Sequence, residues 1–438
     1  MLIDFTFENY LSFKNRATIS FVIPGDKEAK YTRYVLEVEN GKYLLSPFAA
    51  IYGQNAAGKS NVIKALMDFV NLVLYSHTLG IDAPIPSYKP YKLDVSCRSA
   101  SVLFEAEFLV DEIRYLLKVL FDRNSILQEE LIYYPQGRKA LLYSRKQGEP
   151  IHFGSSFKGT KKGLEQFLRP NALFLSTAVN LSNEQLRPLY KYFQTKYRFH
   201  VAMVSSEHPI IGTTLTLLAE KPIKRDTYKK AILSFLNAAD ISVTDVVIKK
   251  DEALLKDFVF PPDIPQQVKD RFIESLVNKP FLAHTLYNGS ESMGEDVLFD
   301  LGKEESGGTI KMYELAGEII DSLKTGGVLL IDEFNSGLHP QLCEFIVALF
   351  RDRTINTKGA QLIVTSHDTN LMARDDIYRD ELWLVDRDSY GASELYSIND
   401  FSKNEVRKGT NLEKWYLDGR FKAVPSINPS ALILESAE

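Results

Sequence analysis

Residues 53–60, Gly-Gln-Asn-Ala-Ala-Gly-Lys-Ser, fit the pattern G-x-x-x-x-G-K-[ST]. In such a loop Gly53 and Gly58 let main-chain N–H groups close around a triphosphate, Lys59 neutralises the β- and γ-phosphates, and Ser60 offers a hydroxyl to magnesium. The expected nucleotide contacts run through Gly53, Gln54, Asn55, Ala56, Ala57, Gly58, Lys59, Ser60 and Asn61. Far along the chain, the apolar run Val328-Leu329-Leu330-Ile331 leads straight into Asp332-Glu333. Asp332 is placed to hold the metal and Glu333 to polarise the attacking water as general base. A second apolar run, Leu362-Ile363-Val364, ends in Thr365-Ser366-His367. A histidine at the mouth of a parallel strand can donate a hydrogen bond to a γ-phosphate and register its presence. Lys59, Glu333 and His367 are thus the expected catalytic set, Ser60 and Asp332 the metal ligands, and ATP with Mg2+ the expected cofactors.

A further anion site is written in Glu305-Ser306-Gly307-Gly308-Thr309, which precedes a helical stripe of Met312, Leu315, Ala316, Ile319, Ile320 and Leu323. Ser306, Gly307 and Gly308 at a helix N-terminus can bind phosphate, or can simply cap the helix. One triphosphate has no obvious need of two cradles from one subunit. The economical arrangement is head-to-tail association, each copy's Ser306 and glycine amides covering the γ-phosphate held by the other's Lys59 loop. His339, next to Pro340 at another helix start, reads as structural or as part of the subunit contact.

These groups need elements to hold them. Phe48–Tyr52 is a short buried strand before the glycine loop, and Ile63, Leu66, Met67, Val70 and Leu74 recur at helical spacing after it. Strand, loop and helix, followed by two more buried strands ending in acidic or histidine tips, predict an α/β fold with ligand groups at the C-terminal ends of parallel strands. The chain has 438 residues, 45% hydrophobic and 25% charged, so it can bury a large core and is neither disordered nor fibrous. A net charge of −5 provides no global basic field. Cys97 and Cys343 stand far apart and the histidines are scattered, so neither a disulfide framework nor a zinc site is expected. The opening alternates like a strand rather than a signal peptide, and no apolar stretch is long enough to span a membrane. A cytoplasmic protein without a membrane span is the resulting expectation.

The loop GQNAAGKS, the segment ESGGT, the strand VLLIDE, and the SGLHP and TSH segments resemble, in order, ABC-type ATPase heads of the SMC, RecF and RecN kind. The opening IDFTFENYLSFKN is similar to their first strand and turn. Softer likenesses, at Pro90–Asp94, Leu173–Ser176, Ala360–Ile363, Arg379–Leu382 and Tyr416–Phe421, resemble bacterial ABC ATPases of abortive infection, including AbiL-like systems encoded beside RloB-like proteins. The resemblance implies an ABC-type P-loop NTPase head that hydrolyses ATP, closes ATP-sandwiched homodimers or higher oligomers, and controls a co-encoded effector, a nuclease or toxin such as an RloB-like protein. The other reading is a RecF- or SMC-like DNA-maintenance ATPase. A self-contained nuclease of the OLD kind is disfavoured, because the stretch after His367 is short for an appended TOPRIM domain. Two departures stand out: Glu305 and Thr309 flank the Ser-Gly-Gly where the family has leucine and glutamine, and residues 88–100 contain no glutamine for a Q-loop.

By domain, residues 1–154 are expected to form the N-terminal lobe, 155–290 a compact, mostly helical insertion, and 291–438 the C-terminal lobe. Within the insertion, Ser182 with Gln185 resembles a capping box ahead of Leu186, Leu189, Tyr190, Phe193 and Tyr197, and a second helix is predicted over 225–237. No heptads continue into a coiled-coil arm. Arg187, Lys191, Lys196 and Arg198 among aromatics, then Lys221, Lys224, Arg225, Lys229 and Lys230, suit nucleic-acid backbone and base stacking, or equally a solvated helix face over core aromatics.

Overall fold

The computed structural model describes residues 1–24, 34–38, 43–159, 161, 163–201, 212–250, 277–402, 406 and 409–424. Contacts divide the chain into two units, one holding Met1–Phe199, Leu330–Glu333 and Gln361–Glu438, the other His200–Leu329 and Phe334–Ala360.

The first unit begins with β1 (Leu2–Glu8) and β2 (Ala17–Ser20), then a small antiparallel pair, β3 (Leu36–Val38) and β4 (Tyr43–Leu45). β5 (Phe48–Gly53) is buried at every position, as its unbroken apolar run requires, and α1 (Lys59–Tyr75) follows the glycine loop. Next come β6 (Val102–Val110), β7 (Ile113–Phe121), β8 (Ile126–Tyr134), β9 (Ala140–Lys146) and β10 (His152–Phe153). With β1 and β2 they form an antiparallel sheet in the order β10–β9–β8–β7–β6–β1–β2. The two-residue turn between β6 and β7 puts Asp111 and Glu112 at φ 48° and 64°, the left-handed geometry that matches strand twist.

α2 (Phe174–Asn180), α3 (Arg187–Lys196) and β11 (Tyr197–His200) follow. Phe193 packs its ring 5.6 Å from Phe69 of α1, and the Tyr190 hydroxyl donates to the Leu74 carbonyl at 2.8 Å. The fully buried Glu129 of β8 accepts from the N–H groups of Phe174 (2.6 Å) and Leu175 (3.0 Å) and from the Tyr143 hydroxyl (2.7 Å), satisfying the otherwise orphaned start of α2. The capping box expected from Ser182 and Gln185 does not form. Ser182 takes φ 68° in the turn after α2, Gln185 bonds the main chain at Ser156 and Lys158, and Pro188 fixes the start of α3 further on. Asn183 supplies the bond instead, accepting from Leu186 N at 3.0 Å.

The second unit contains α4 (Thr213–Leu218), α5 (Pro222–Ala238), β12 (Asp245–Lys250), β13 (Asn278–Asn288), β14 (Glu291–Asp300) and α6 (Gly307–Thr325). β15 (Val328–Ile331) passes from this unit into the first, and α7 (Pro340–Arg351) returns to it. β12, β13 and β14 form an antiparallel sheet in that order. α4 meets α6 closely: the Thr214 hydroxyl donates to the Tyr313 carbonyl and accepts from Gly317 N, both at 2.8 Å. On α7, Phe345 lies 5.6 Å from Phe235 of α5.

β16 (Gln361–Thr365), β17 (Leu382–Arg387), β18 (Ser393–Ser397) and α8 (Leu412–Leu417) complete the first unit. The site-bearing sheet has the order β11–β15–β16–β5–β17–β18, with β16 and β17 parallel to β5. α1 lies between the two large sheets: Phe5 and Ile19 from one, Leu330 and Ile363 from the other, and Val62, Ile63 and Leu66 of the helix share one interior. The segment 155–290 is thus divided, its first part packing on α1 and its remainder belonging to the second unit, where strands accompany the helices. Residues 202–211 and 251–276 of it lie outside the described residues.

Candidate functional site

β5 lies between two parallel neighbours, Thr365 opposite Ile51 and Val385 opposite Gly53, so its loop leaves at the sheet's C-terminal edge. The loop conformation admits few side chains. Gly53 has φ 152°, and a Cβ there would lie 2.2 Å from the Val385 carbonyl oxygen. Gly58, the N-cap of α1, has φ 113°, and its Cβ would meet the hydroxyls of Ser12 and Ser393 at 2.5 and 2.6 Å. Ala56 between them is also left-handed, at φ 60°. Glycine at 53 and 58 lets the loop's main chain press against Val385 and the two serines in conformations that a side chain would strain.

Behind the loop is a hydroxyl cluster. Asn61 Nδ2 donates to Ser12 Oγ at 2.8 Å, Ser393 Oγ lies 2.7 Å from Ser12 Oγ and also bonds the Ala57 carbonyl, and Ser393 N donates to the Ser12 carbonyl at 2.8 Å. The opening turn and the last hairpin of the sheet therefore brace the loop from two sides. Sequence reasoning missed Ser12 and Ser393. Ser12 lies in the opening segment that carried part of the family likeness, whereas nothing local marks Ser393. Gln54, expected to touch nucleotide, directs Nε2 towards Asp386 Oδ1 at 3.4 Å, while Asn55 is exposed.

Lys59 is buried, donating from Nζ to the carbonyls of Gly53 (2.9 Å) and Gln54 (3.0 Å). Burial pushes its pKa down to about 8, against the opposing pull of Asp332 and Glu333. An anionic ligand at the loop would raise it again by favouring the charged form. Asp332, also buried, accepts from Thr365 Oγ1 at 2.5 Å, and the same hydroxyl accepts from Glu333 N at 2.8 Å. One hydroxyl at the end of β16 thus fixes the acidic pair at the end of β15. Thr365 appeared in the sequence only as part of the TSH segment; its bridging role needs the strand pairing to be seen. Glu333 is exposed and held at φ 50°, a left-handed conformation unusual for this residue type and often found where a side chain must be aimed. His367 is exposed beyond Thr365, and burial together with Lys59 lowers its pKa, outweighing Glu333 and Asp332. A neutral imidazole at physiological pH keeps one N–H to donate.

These groups fit a nucleoside triphosphate with magnesium. No cluster of three or more His, Cys, Asp or Glu side chains suited to a metal occurs among the described residues. A serine hydroxyl and one carboxylate, Ser60 and Asp332, suit Mg2+, which keeps waters and takes substrate phosphate oxygens rather than a full protein cage.

Lys59, Asp332, Glu333 and His367 all belong to the first unit; Ser306, Gly307 and Gly308 belong to the second. Ser306 is the exposed N-cap of α6, its Oγ accepting from Thr309 N at 3.1 Å and lying 2.9 Å from Thr309 Oγ1. Glu305, a departure from the family pattern, is engaged by His284 Nε2 at 2.7 Å. His339 caps α7, with Nδ1 accepting from Gln341 N at 3.3 Å. Of the basic–aromatic stretch, Tyr192, Phe193 and Tyr197 lie in the core and Arg187 pairs with Glu184 at 2.8 Å, so these rings are packing groups.

The glycine loop, the buried lysine beneath it and the acidic pair at the tip of β15, beyond β16, define the site of a P-loop ATPase. The family described as "AAA domain, putative AbiEii toxin, Type IV TA system" matches residues 48–168 and 205–373, and the chain belongs to that family. No curated protein matches it. Among solved structures it is similar to an SMC head, described as "SmcHead bound to the C-winged helix domain of ScpA", at 12% identity and a TM-score of 0.40, covering 90% of this chain and 97% of that one. A likeness that loose transfers no residue role. Among the described residues no helix is long and apolar enough to cross a membrane.

Proposed function

We propose that this chain binds and hydrolyses ATP with Mg2+, closes with a second copy around the nucleotide, and controls a separate effector in bacterial anti-phage defence. The observation that carries the ATPase reading is the single Thr365 hydroxyl that positions both Asp332 and Glu333, in the same unit as the buried Lys59. Magnesium, held by Ser60 and Asp332, would draw charge from the γ-phosphate. The loop amides and Lys59 orient the triphosphate, Glu333 takes a proton from the attacking water, and the neutral His367 donates to a γ-phosphate oxygen. Ser306, Gly307 and Gly308, at the exposed start of a 19-residue helix, cover the nucleotide of the other copy. The defence role is supported by the family description, which names a toxin of a toxin–antitoxin system. The cell compartment proposed is the cytoplasm, and the effector a co-encoded nuclease or toxin, RloB-like proteins being the first to test.

Glu333→Gln should keep ATP affinity and lower turnover by about 10²-fold or more, since the base is lost while the cradle stays. Steady-state phosphate release within about threefold of the parent protein would refute that role. Lys59→Ala should instead weaken nucleotide binding itself. The DNA-maintenance reading draws on the exposed cations Lys224, Arg225 and Lys230 of α5 and Lys221 at its N-cap. It takes precedence if loss of the gene causes DNA-damage sensitivity without loss of phage protection.

A further inference from the structure

Five of the large apolar side chains exposed among the described residues fall in one hairpin: Leu286, Tyr287, Met293, Val297 and Phe299. Elsewhere among the described residues such side chains stand singly or, as at Leu93 and Val95, in a pair. The hairpin's second strand, β14, is the outer strand of the order β12–β13–β14 and runs for ten residues. Natural sheets blunt such edges with lysines, prolines or short strands. The sequence of β14, ESMGEDVLFD, has no lysine and no proline. A bulge opposite Leu286 disturbs the tip, but Asp296 to Asp300 pairs regularly with Phe281 to Thr285. Along this regular stretch Val297 and Phe299 lie opposite His284 and Leu282 on one face, 40% and 37% exposed, and the Phe299 ring lies 4.8 Å from that of His284.

The charge on the strand selects among occupants. β14 carries Glu291, Glu295, Asp296 and Asp300 without a cation. Asp296 is occupied by the Thr244 hydroxyl (2.8 Å) and Asp300 by Gly302 N (3.0 Å), whereas Glu291 and Glu295 are exposed with no ion-pair partner among the described residues. Pairing with β14 of a second copy would set acids beside acids, which is destabilising. Nucleic-acid phosphates would be repelled for the same reason.

We propose that β14 is a docking edge for an extended segment of a partner protein that carries apolar residues and then lysine or arginine at every second position, so that both lie on one face. The segment adds as a fourth strand: main-chain hydrogen bonds supply affinity, Val297 and Phe299 take its apolar side chains, and Glu291 and Glu295 select its cations.

The test uses the full chain and a fluorescein-labelled lysine–valine peptide, with valine, valine, lysine and lysine at successive alternate positions and threonine between them, followed by anisotropy. Saturable binding is expected, absent for a glutamate–valine peptide and for a lysine–valine peptide with a central proline. The double substitution Val297→Lys/Phe299→Lys should weaken binding about tenfold or more, and Glu295→Lys, a milder surface change, should weaken it in the same direction. A circular dichroism spectrum and thermal midpoint like those of the parent protein would show that both variants are folded. No binding of the lysine–valine peptide, equal binding of the acidic or proline peptide, or affinity unchanged in the variants overturns the proposal. Concentration-dependent self-association that the double variant abolishes would assign the edge to a second copy and overturn it as well.

Discussion

Lys59 is held with a cost that an anion relieves. Its ammonium sits in a buried loop with two carbonyls for partners, and burial brings its pKa down to about 8. A bound triphosphate pulls that value back up, because the charged form gains a close opposite charge. The sign for binding follows. Below pH 8 the free protein already carries the proton, so ATP affinity should be flat. Above it, binding must take up a proton, and the dissociation constant should rise by up to about tenfold per pH unit. Nucleotide titration from pH 7 to about 9.5 measures this, with Lys59→Arg as the control, since a guanidinium does not titrate in that range. The arginine variant should bind more weakly overall but with little slope. A flat profile for the parent protein would mean that Lys59 is not the group that meets the phosphates.

At the scale of elements, α4 and α6 approach through Gly317, where an added Cβ would lie 2.4 Å from Thr214 N and 2.5 Å from its Cα. Two effects compete in Gly317→Ala. Alanine in a helix interior gains about 1 kcal/mol over glycine, while overpacking against main chain costs typically about 1–3 kcal/mol and breaks the Thr214 bonds as α4 moves away. The clash is with backbone rather than a flexible side-chain end, so a net loss is expected, read as a lower urea midpoint or a thermal midpoint reduced by a few degrees. A stabilised variant would show that propensity wins and that the helices can separate freely. Gly317 was invisible as a contact in the sequence, because the stripe of α6 is legible from its own period but its partner is not. The same distinction runs through the rest of the chain. β5, the loop, α1, β15, β16 and α7 were readable because each carries a local pattern of buried apolar residues with a chemical end. The brace of Ser12 and Ser393 joins residues far apart in sequence, and the buried Glu129 bonds the start of a helix 45 residues further along the chain. The apparent capping box at Ser182 failed for the converse reason: a local match was overridden by Pro188 and by bonds from Gln185 to a distant strand of chain.

At the scale of the whole molecule, the proposed function asks Lys59 and the Ser-Gly-Gly helix start to serve one nucleotide. Ser306 and Gly307 are exposed at the positive end of a 19-residue helix, the geometry that attracts phosphate. If that end covers the nucleotide of a second copy, damage to the two motifs should complement between chains. Lys59→Ala removes the cradle of its own site, and Ser306→Arg spoils the cover it gives to its partner. Each protein alone should hydrolyse ATP poorly. In a mixture, half of the association sites of a heterodimer combine an intact Lys59 from one chain with an intact Ser306 from the other, while the remaining site carries both lesions. Phosphate release should therefore recover on mixing and increase with total protein as subunits exchange. Glu333→Gln, which is expected to bind without turning over, should also gain mass in light scattering when ATP is added. Failure of Glu333→Gln to associate with ATP, together with no recovery on mixing, would remove the two-copy site. Ser306 would then be left as the helix cap that its bond to Thr309 N already makes it.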